Sequence, residues 1–284
     1  MERRFLGPLV LAMAVGCAGE AAAGSIYLTG HDVLLHGGQN SYDNVILNYL
    51  RGAGTGSEIA AGSYDILLLR GFEGSVGSLG VTTLEGFGTL TIRDIADFSG
   101  AGGAAALTTA LAGNEVVVIP SHRDCGGCDL SSADADILES LRDVFTAYFN
   151  AGGDIYANSG ADDVTFYNFL PPSAVASGLP IGGSSGFVAT AAGLAIGIEN
   201  GMINGFPTHN RFSSYDAAFT VFETRPTVGS DDEVISLGLR DGRIIEDDGI
   251  VTDDGTDGDV PEPATLSLLA MGLAAAYAGR RRKA

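Results

Sequence analysis

Three observations predict an α/β protein built on a doubly wound, mainly parallel sheet. Short apolar strands alternate with amphipathic helices from Ser25 to Asp163. Two of the strands, Tyr64–Arg70 (YDILLLR) and Glu115–Pro120 (EVVVIP), are continuously apolar, which signals cover on both faces, as in a parallel sheet. Polar residues gather just beyond the strands, where open parallel sheets place their ligands. The composition agrees. Glycine is frequent at 42 of 284 residues, yet apolar residues make up 45% of the chain, so the glycines imply tight turns rather than disorder.

The elements follow in order. Met1-Glu2-Arg3-Arg4, an apolar run from Phe5 to Ala18 and Ala21-Ala22-Ala23 form the three parts of a secretory signal peptide, with cleavage expected after Ala23. Cys17 follows Ala14-Val15-Gly16, which lacks the Leu of a lipoprotein box. Ser25–Thr29 is the first strand and ends in Gly30-His31-Asp32, followed by a loop to Gln39. Asn40–Arg51 is a helix, because Val45, Ile46, Tyr49 and Leu50 share one face. After the strand Tyr64–Arg70, the stretch Phe72–Gly88 is glycine-rich and ambiguous. Thr89–Ile95 alternates, as an edge strand would, and Gly102–Ala112 is a small helix.

The Val-rich strand Glu115–Pro120 leads into Ser121-His122-Arg123-Asp124-Cys125. Ser131 or Ser132 caps one long helix to about Asn150, with Asp134 and Asp136 near its positive end. Gly152-Gly153 ends it, and Asp154–Asn158 is the next strand. Beyond Asp163 the pattern loosens into an irregular, β-rich C-terminal part. Thr165–Leu170 and Phe187–Ile198 are apolar, and Ala218–Glu223 and Glu233–Leu239 are strands. The whole reads as a flavodoxin-like arrangement spanning 24–245. Residues 246–259 are rich in Asp, Gly and Thr and read as an acidic flexible linker. The Asp253-Asp254 and Asp257-Gly258-Asp259 pairs lack the Glu that completes a calcium loop.

The chain ends in Val260-Pro261-Glu262-Pro263-Ala264-Thr265, an apolar run to Gly279, and Arg280-Arg281-Arg282-Lys283. The sixteen residues Ala264–Gly279 give a helix of roughly 24 Å, short of a roughly 30 Å hydrocarbon core, so they form a marginal, temporary anchor. The terminal cations stay on the cytoplasmic face. This tail resembles the PEP-CTERM sorting signal of Gram-negative bacteria. The resemblance implies export through the inner membrane by the secretion machinery, recognition of Pro261, Glu262 and Pro263 by an exosortase, and release to the cell surface or extracellular matrix.

The formal net charge is -20. The two end segments carry six cations (Arg3, Arg4, Arg280, Arg281, Arg282, Lys283), so removing them makes the remainder more acidic still. Such a surface repels nucleic acid and anionic lipid. It suits an extracellular protein among divalent cations or polysaccharide, although the absence of Trp weakens a sugar-stacking role. Cys125 and Cys128 flank Gly126-Gly127 and are expected to form a local disulfide in an oxidising compartment; a redox pair and a metal half-site are the alternatives.

A second resemblance covers the main domain. Tyr148-Phe149-Asn150-Ala151-Gly152-Gly153-Asp154-Ile155-Tyr156 looks like the helix, Gly-Gly turn and strand that precede the nucleophile in class I glutamine-amidotransferase-like and trehalose-utilisation-type domains. Active members carry a Cys in a Gly-x-Cys-x-Gly elbow there. This chain has Ala157-Asn158-Ser159-Gly160-Ala161, and it lacks the downstream His-x-Glu, so glutaminase chemistry is not implied.

The candidate chemistry collects at strand ends. His122, Asp124, Ser159 and His209 are the catalytic candidates for an extracytoplasmic hydrolase, with Ser159 as nucleophile. His31, Asp32, His122 and Asp162 are the metal candidates; no cofactor motif is evident, and a divalent metal would suit that set. His36, beside Gly37-Gly38, reads as solvated. The competing expectation is that these residues are turn-formers and caps bonded to nearby backbone, and that the protein is a non-catalytic surface component.

Overall fold

A computed structural model describes residues 24–36, 40–56, 58–71, 76, 78–122, 130–170, 177–205, 207–245 and 249–252. The elements are β1 (Gly24–Thr29), α1 (Val33–His36), α2 (Asn40–Leu50), β2 (Ile66–Arg70), α3 (Ser78–Glu85), β3 (Leu90–Asp94), α4 (Gly103–Leu111), β4 (Val116–Ile119), α5 (Ser132–Ser140), α6 (Arg142–Asn150) and β5 (Asp154–Ala157). There follow β6 (Ser177–Pro180), β7 (Val188–Ala189), α7 (Ala191–Ile196), β8 (Asn210–Ser214), β9 (Thr220–Arg225), β10 (Glu233–Ile245) and β11 (Gly249–Thr252).

The strands form one sheet. Its first half runs β3-β2-β4-β5-β1, and every pairing in it is parallel. The second half begins with β10, antiparallel beside β1, and continues to β8 and β6, with β9, β7 and β11 attached antiparallel. The α/β, doubly wound class holds, and the β-rich C-terminal part completes the same sheet.

Alternate residues of each strand serve opposite cores, because successive side chains in a strand point to opposite faces. Ile26, Leu28, Leu67, Leu69, Val117, Ile119 and Ile155 pack with Leu107 of α4, Leu138 of α5 and Phe145 and Phe149 of α6. Tyr27, Ile66, Leu68, Val116, Val118 and Tyr156 pack with Tyr42, Ile46 and Leu47 of α2 and Leu84 of α3. Ile66, Leu67, Leu68 and Leu69 are all fully buried, as their continuous apolarity requires. β3 lies at the sheet's edge, and none of its residues is fully buried, Ile92 and Arg93 being exposed.

Several boundaries differ from the sequence pattern. The expected long helix is two, broken at Leu141, which leaves helical geometry at φ -104, ψ 12 while its side chain stays buried. The apolar stripe continues through the break, so periodicity could not reveal it. Ser131 is the cap, and it exchanges hydrogen bonds with Asp134 in a capping box. The loop after β1 contains α1, and the ambiguous Phe72–Gly88 stretch contains α3. β10 continues past Leu239 to Ile245, turning at Asp241 with φ 51. Gly249–Thr252, inside the stretch read as a linker, pairs with it as β11, drawn in by a β-branched Ile250-Val251-Thr252 run.

Candidate functional site

The order β4-β5-β1 places the ends of these three strands side by side. Onto them fold β8, β9 and β10 from the antiparallel half. Asp32 follows β1, Ser121 and His122 follow β4, and Asn158 and Ser159 follow β5; all are buried. The second half contributes Thr208, Asn210, Glu223 and Ser236, each fully buried.

Three assemblies result. In the first, the Ser121 hydroxyl donates to Asp32 Oδ1 at 3.0 Å, and His209 Nε2 lies 3.5 Å from Asp32 Oδ2. Asp32 is 1% exposed and the His209 side chain 15%, so this group approaches the surface through an imidazole. The carboxylate lies between serine and histidine. A nucleophilic triad would place the histidine in the middle.

In the second, Asn210 Oδ1 accepts from the Ser159 hydroxyl at 2.8 Å and the Gly160 amide at 2.8 Å, with the Tyr167 hydroxyl 3.2 Å away. The Ala161 amide donates back to Ser159 Oγ at 3.0 Å. Ala161 sits at φ 51, uncommon for a residue with a Cβ, and this turn holds Ser159 inward. The Ser159 proton therefore points to an amide oxygen. His122 is adjacent through its backbone, whose N–H donates to Ser159 O at 2.7 Å. Its ring lies 5.5 Å from the Phe166 ring, and its Nε2 is 4.0 Å from Asp163 Oδ2. Among the described residues, His122 Nδ1 has no hydrogen-bond partner.

The third assembly is wholly sequestered. His31 contacts Thr208 Oγ1 through Nδ1 at 2.7 Å and Glu223 Oε2 through Nε2 at 2.7 Å. Tyr42 and Tyr27 donate to Glu223 Oε1 at 2.6 and 3.0 Å. Ser236 donates to Thr29 Oγ1 at 3.0 Å. Burial pushes the Glu223 carboxyl up, but the His31 imidazole and the hydrogen bonds from His31, Tyr42 and Ser236 outweigh it and hold the group below its ordinary range. Burial raises Tyr42 and Tyr27 well above the phenol range, and the charge of Glu223 adds to this.

Of the sequence candidates, Asp32 and His209 come together, and His122 and Ser159 adjoin through backbone. His31 is engaged by Glu223 and Thr208, and Asp162 is exposed. Asp124, Cys125, Cys128, Pro261, Glu262 and Pro263 lie outside the described residues, and nothing is described of the His36 side chain. Among the described residues, no three His, Cys, Asp or Glu are grouped to hold a metal ion. Sequence reasoning missed Ser121, Asn210, Thr208 and Glu223. Only Ser121, directly after the Val-rich strand, carried a signal of position.

The fold thus defines an α/β protein whose strand-end polar residues are bonded mainly to one another. The tail is more specific: residues 259–283 match the PEP-CTERM protein-sorting motif. The chain carries the signal of an exported protein that an exosortase processes and sorts to the cell surface. No curated protein and no solved structure matches the chain, so neither supports the amidotransferase likeness. Among the described residues no helix is long and apolar enough to cross a membrane; the run Ala264–Gly279 lies outside them.

Proposed function

We propose that this protein is a non-catalytic component of the cell surface or extracellular matrix, released after exosortase processing, whose amidotransferase-like α/β domain serves as a scaffold. The observation that carries this reading is the hydroxyl of Ser159. It is fully buried and donates to Asn210 Oδ1, so it ties β5 to β8 where a nucleophile would face a base. The excess of acidic residues fits attachment to matrix polysaccharide through divalent cations. The segment 264–279 would hold the chain at the inner membrane until the exosortase acts.

A second reading, an extracytoplasmic hydrolase or metal-dependent enzyme, draws on the Asp32–His209 pair, whose imidazole is more exposed than those of His31 and His122. Metal analysis of the exported protein, beside His122→Ala and His209→Ala, separates the two. The scaffold reading expects no stoichiometric metal in any of them. Metal bound in the parent and lost in both variants would replace the scaffold with a metalloenzyme. In a strain lacking exosortase, the protein is expected to stay with the membrane fraction; unchanged release would remove the sorting part of the proposal.

A further inference from the structure

The amino ends of the parallel strands carry a different kind of buried acid. Asp154 opens β5 and is 5% exposed. Its Oδ1 accepts the Ser25 backbone N–H at 2.6 Å, and its Oδ2 accepts the Tyr64 hydroxyl at 2.5 Å. Both donors are neutral. The charge acting on it comes from Asp241, another acid. Burial pushes its carboxyl up to about 7, against the opposing hydrogen bonds from Tyr64 and Ser25. Glu115 lies nearby, accepting the Asp65 amide at 2.6 Å, and it and Asp154 together act on the Tyr148 phenol. Arg240 is turned elsewhere: its guanidinium donates to the Tyr49 carbonyl at 2.5 Å and lies 4.4 Å from the Tyr49 ring.

The residue before Ser25 completes the picture. Gly24 is buried at the start of β1, opposite Gly242 of β10. A Cβ there would collide with the Gly153 carbonyl and come within 2.8 Å of the Phe149 ring. Adjacent backbone nitrogens are at most roughly 3.7 Å apart, so the Gly24 nitrogen lies within about 6 Å of Asp154 Oδ1. It is also the first residue after the expected leader.

We propose that Asp154 is the docking partner of the mature N-terminus: cleavage between Ala23 and Gly24 creates an α-ammonium that pairs with the Asp154 carboxylate and fixes β1 between β5 and β10. This rests on leader cleavage after Ala23, and it is independent of whether the domain is a scaffold or an enzyme. The hydrolysis consumes one water. The C–N bond of the Ala23–Gly24 amide breaks, the hydroxyl completes the Ala23 carboxyl, and the amine takes up the proton that this carboxyl releases. Before cleavage the acid has no cation beside it among the described residues. Afterwards the ammonium supplies the missing charge in a region shielded from water, where an ion pair is stronger than at the surface. The titratable groups that interact with Asp154 are Tyr64, Tyr148, Tyr49 and Asp241. The fold would therefore tighten only once the leader is gone, which keeps the precursor pliant during export.

The test compares the exported protein, its N-terminus determined by mass spectrometry, with the same protein retaining Ala22-Ala23. At pH 8 the form starting at Gly24 is expected to melt about 3 °C or more above the extended form. The gap should vanish when both carry Asp154→Asn. Equal melting of the two forms, a gap that survives Asp154→Asn, or a natural N-terminus other than Gly24 would overturn the proposal. Should Asp154→Asn fail to fold, the pH dependence of α-amine acylation in the folded parent decides the matter. Pairing raises the amine pKa above its ordinary value of roughly 8, whereas burial alone lowers it, so a value at or below 8 overturns the proposal.

Discussion

At the carboxyl ends of the parallel strands, Glu223 sits against an imidazole and accepts two phenols; at their amino ends, Asp154 has a phenol and a backbone amide. Asp43, in α2, is in a similar situation to Asp154 and accepts the Tyr156 hydroxyl at 2.8 Å. All three carboxyls are buried. Glu223 is held below its ordinary 4.5, while Asp43 and Asp154 are pushed up to about 7. Burial is the largest cause in each, so the difference lies in the partner. A neutral hydrogen bond reduces the desolvation penalty but does not cancel it; an imidazole beside the carboxylate does. The strand ends near His31 are therefore electrostatically closed, whereas Asp154 and Asp43 have no cationic partner among the described residues.

The most severe way to break this contrast is Glu223→Gln. It leaves His31, Tyr27 and Tyr42 facing a neutral amide in a site without water access. Leaving the donors of a buried carboxylate without that acceptor costs about 3 kcal/mol, and the urea midpoint should fall accordingly. The double variant with His31→Gln should lose less than the sum of the two single losses, because the residues act as a unit.

The pH dependence sharpens the contrast next. Asp43 is raised, so the stability that its proton confers is complete below its ordinary 3.8, declines as the pH rises and is lost above about 7. Glu223 is lowered, so its contribution is present above its ordinary 4.5 and is lost as the pH falls through its folded value. The melting temperature should fall between pH 5 and pH 8, and Asp43→Asn should flatten that fall. An unchanged slope in Asp43→Asn would show that Asp43 is ionised inside the fold.

Smaller effects follow at the second assembly. Asn210→Ala removes an acceptor shared by Ser159 and Gly160, and it should cost about 2–3 kcal/mol in chemical denaturation. Ser159→Ala removes one hydrogen bond from that group and should cost about 1 kcal/mol.

The parallel half was legible because local pattern determines it. The apolar runs of β2 and β4, the edge alternation of β3 and the amphipathic stripes of α2, α5 and α6 each sit within one segment of chain. The break at Leu141 was hidden because a stripe that keeps its period does not report backbone geometry. β11 was hidden because a four-residue strand in an acidic stretch depends on its partner β10. The polar assemblies were half legible. Asp, Ser and His after a strand mark the strand's end, so Asp32, His122 and Ser159 could be named. Their partners could not, since His31 and Glu223 are 192 residues apart and Ser159 and Asn210 are 51 apart. Nothing in either local sequence encodes the pairing; the antiparallel half brings it about by folding onto the parallel one. The sorting tail was legible because its motif is contained in one continuous stretch, residues 259–283.

The central claim is that the strand-end hydroxyls and imidazoles hold the two halves of the sheet together. Its most direct test is treatment of the folded, exported protein with a fluorophosphonate, which reacts with serines activated by a neighbouring base. No labelling of Ser121 or Ser159 is expected, alongside a lowered unfolding midpoint for Ser159→Ala. Stoichiometric labelling of either serine that disappears in His209→Ala or His122→Ala would contradict it and establish a catalytic site.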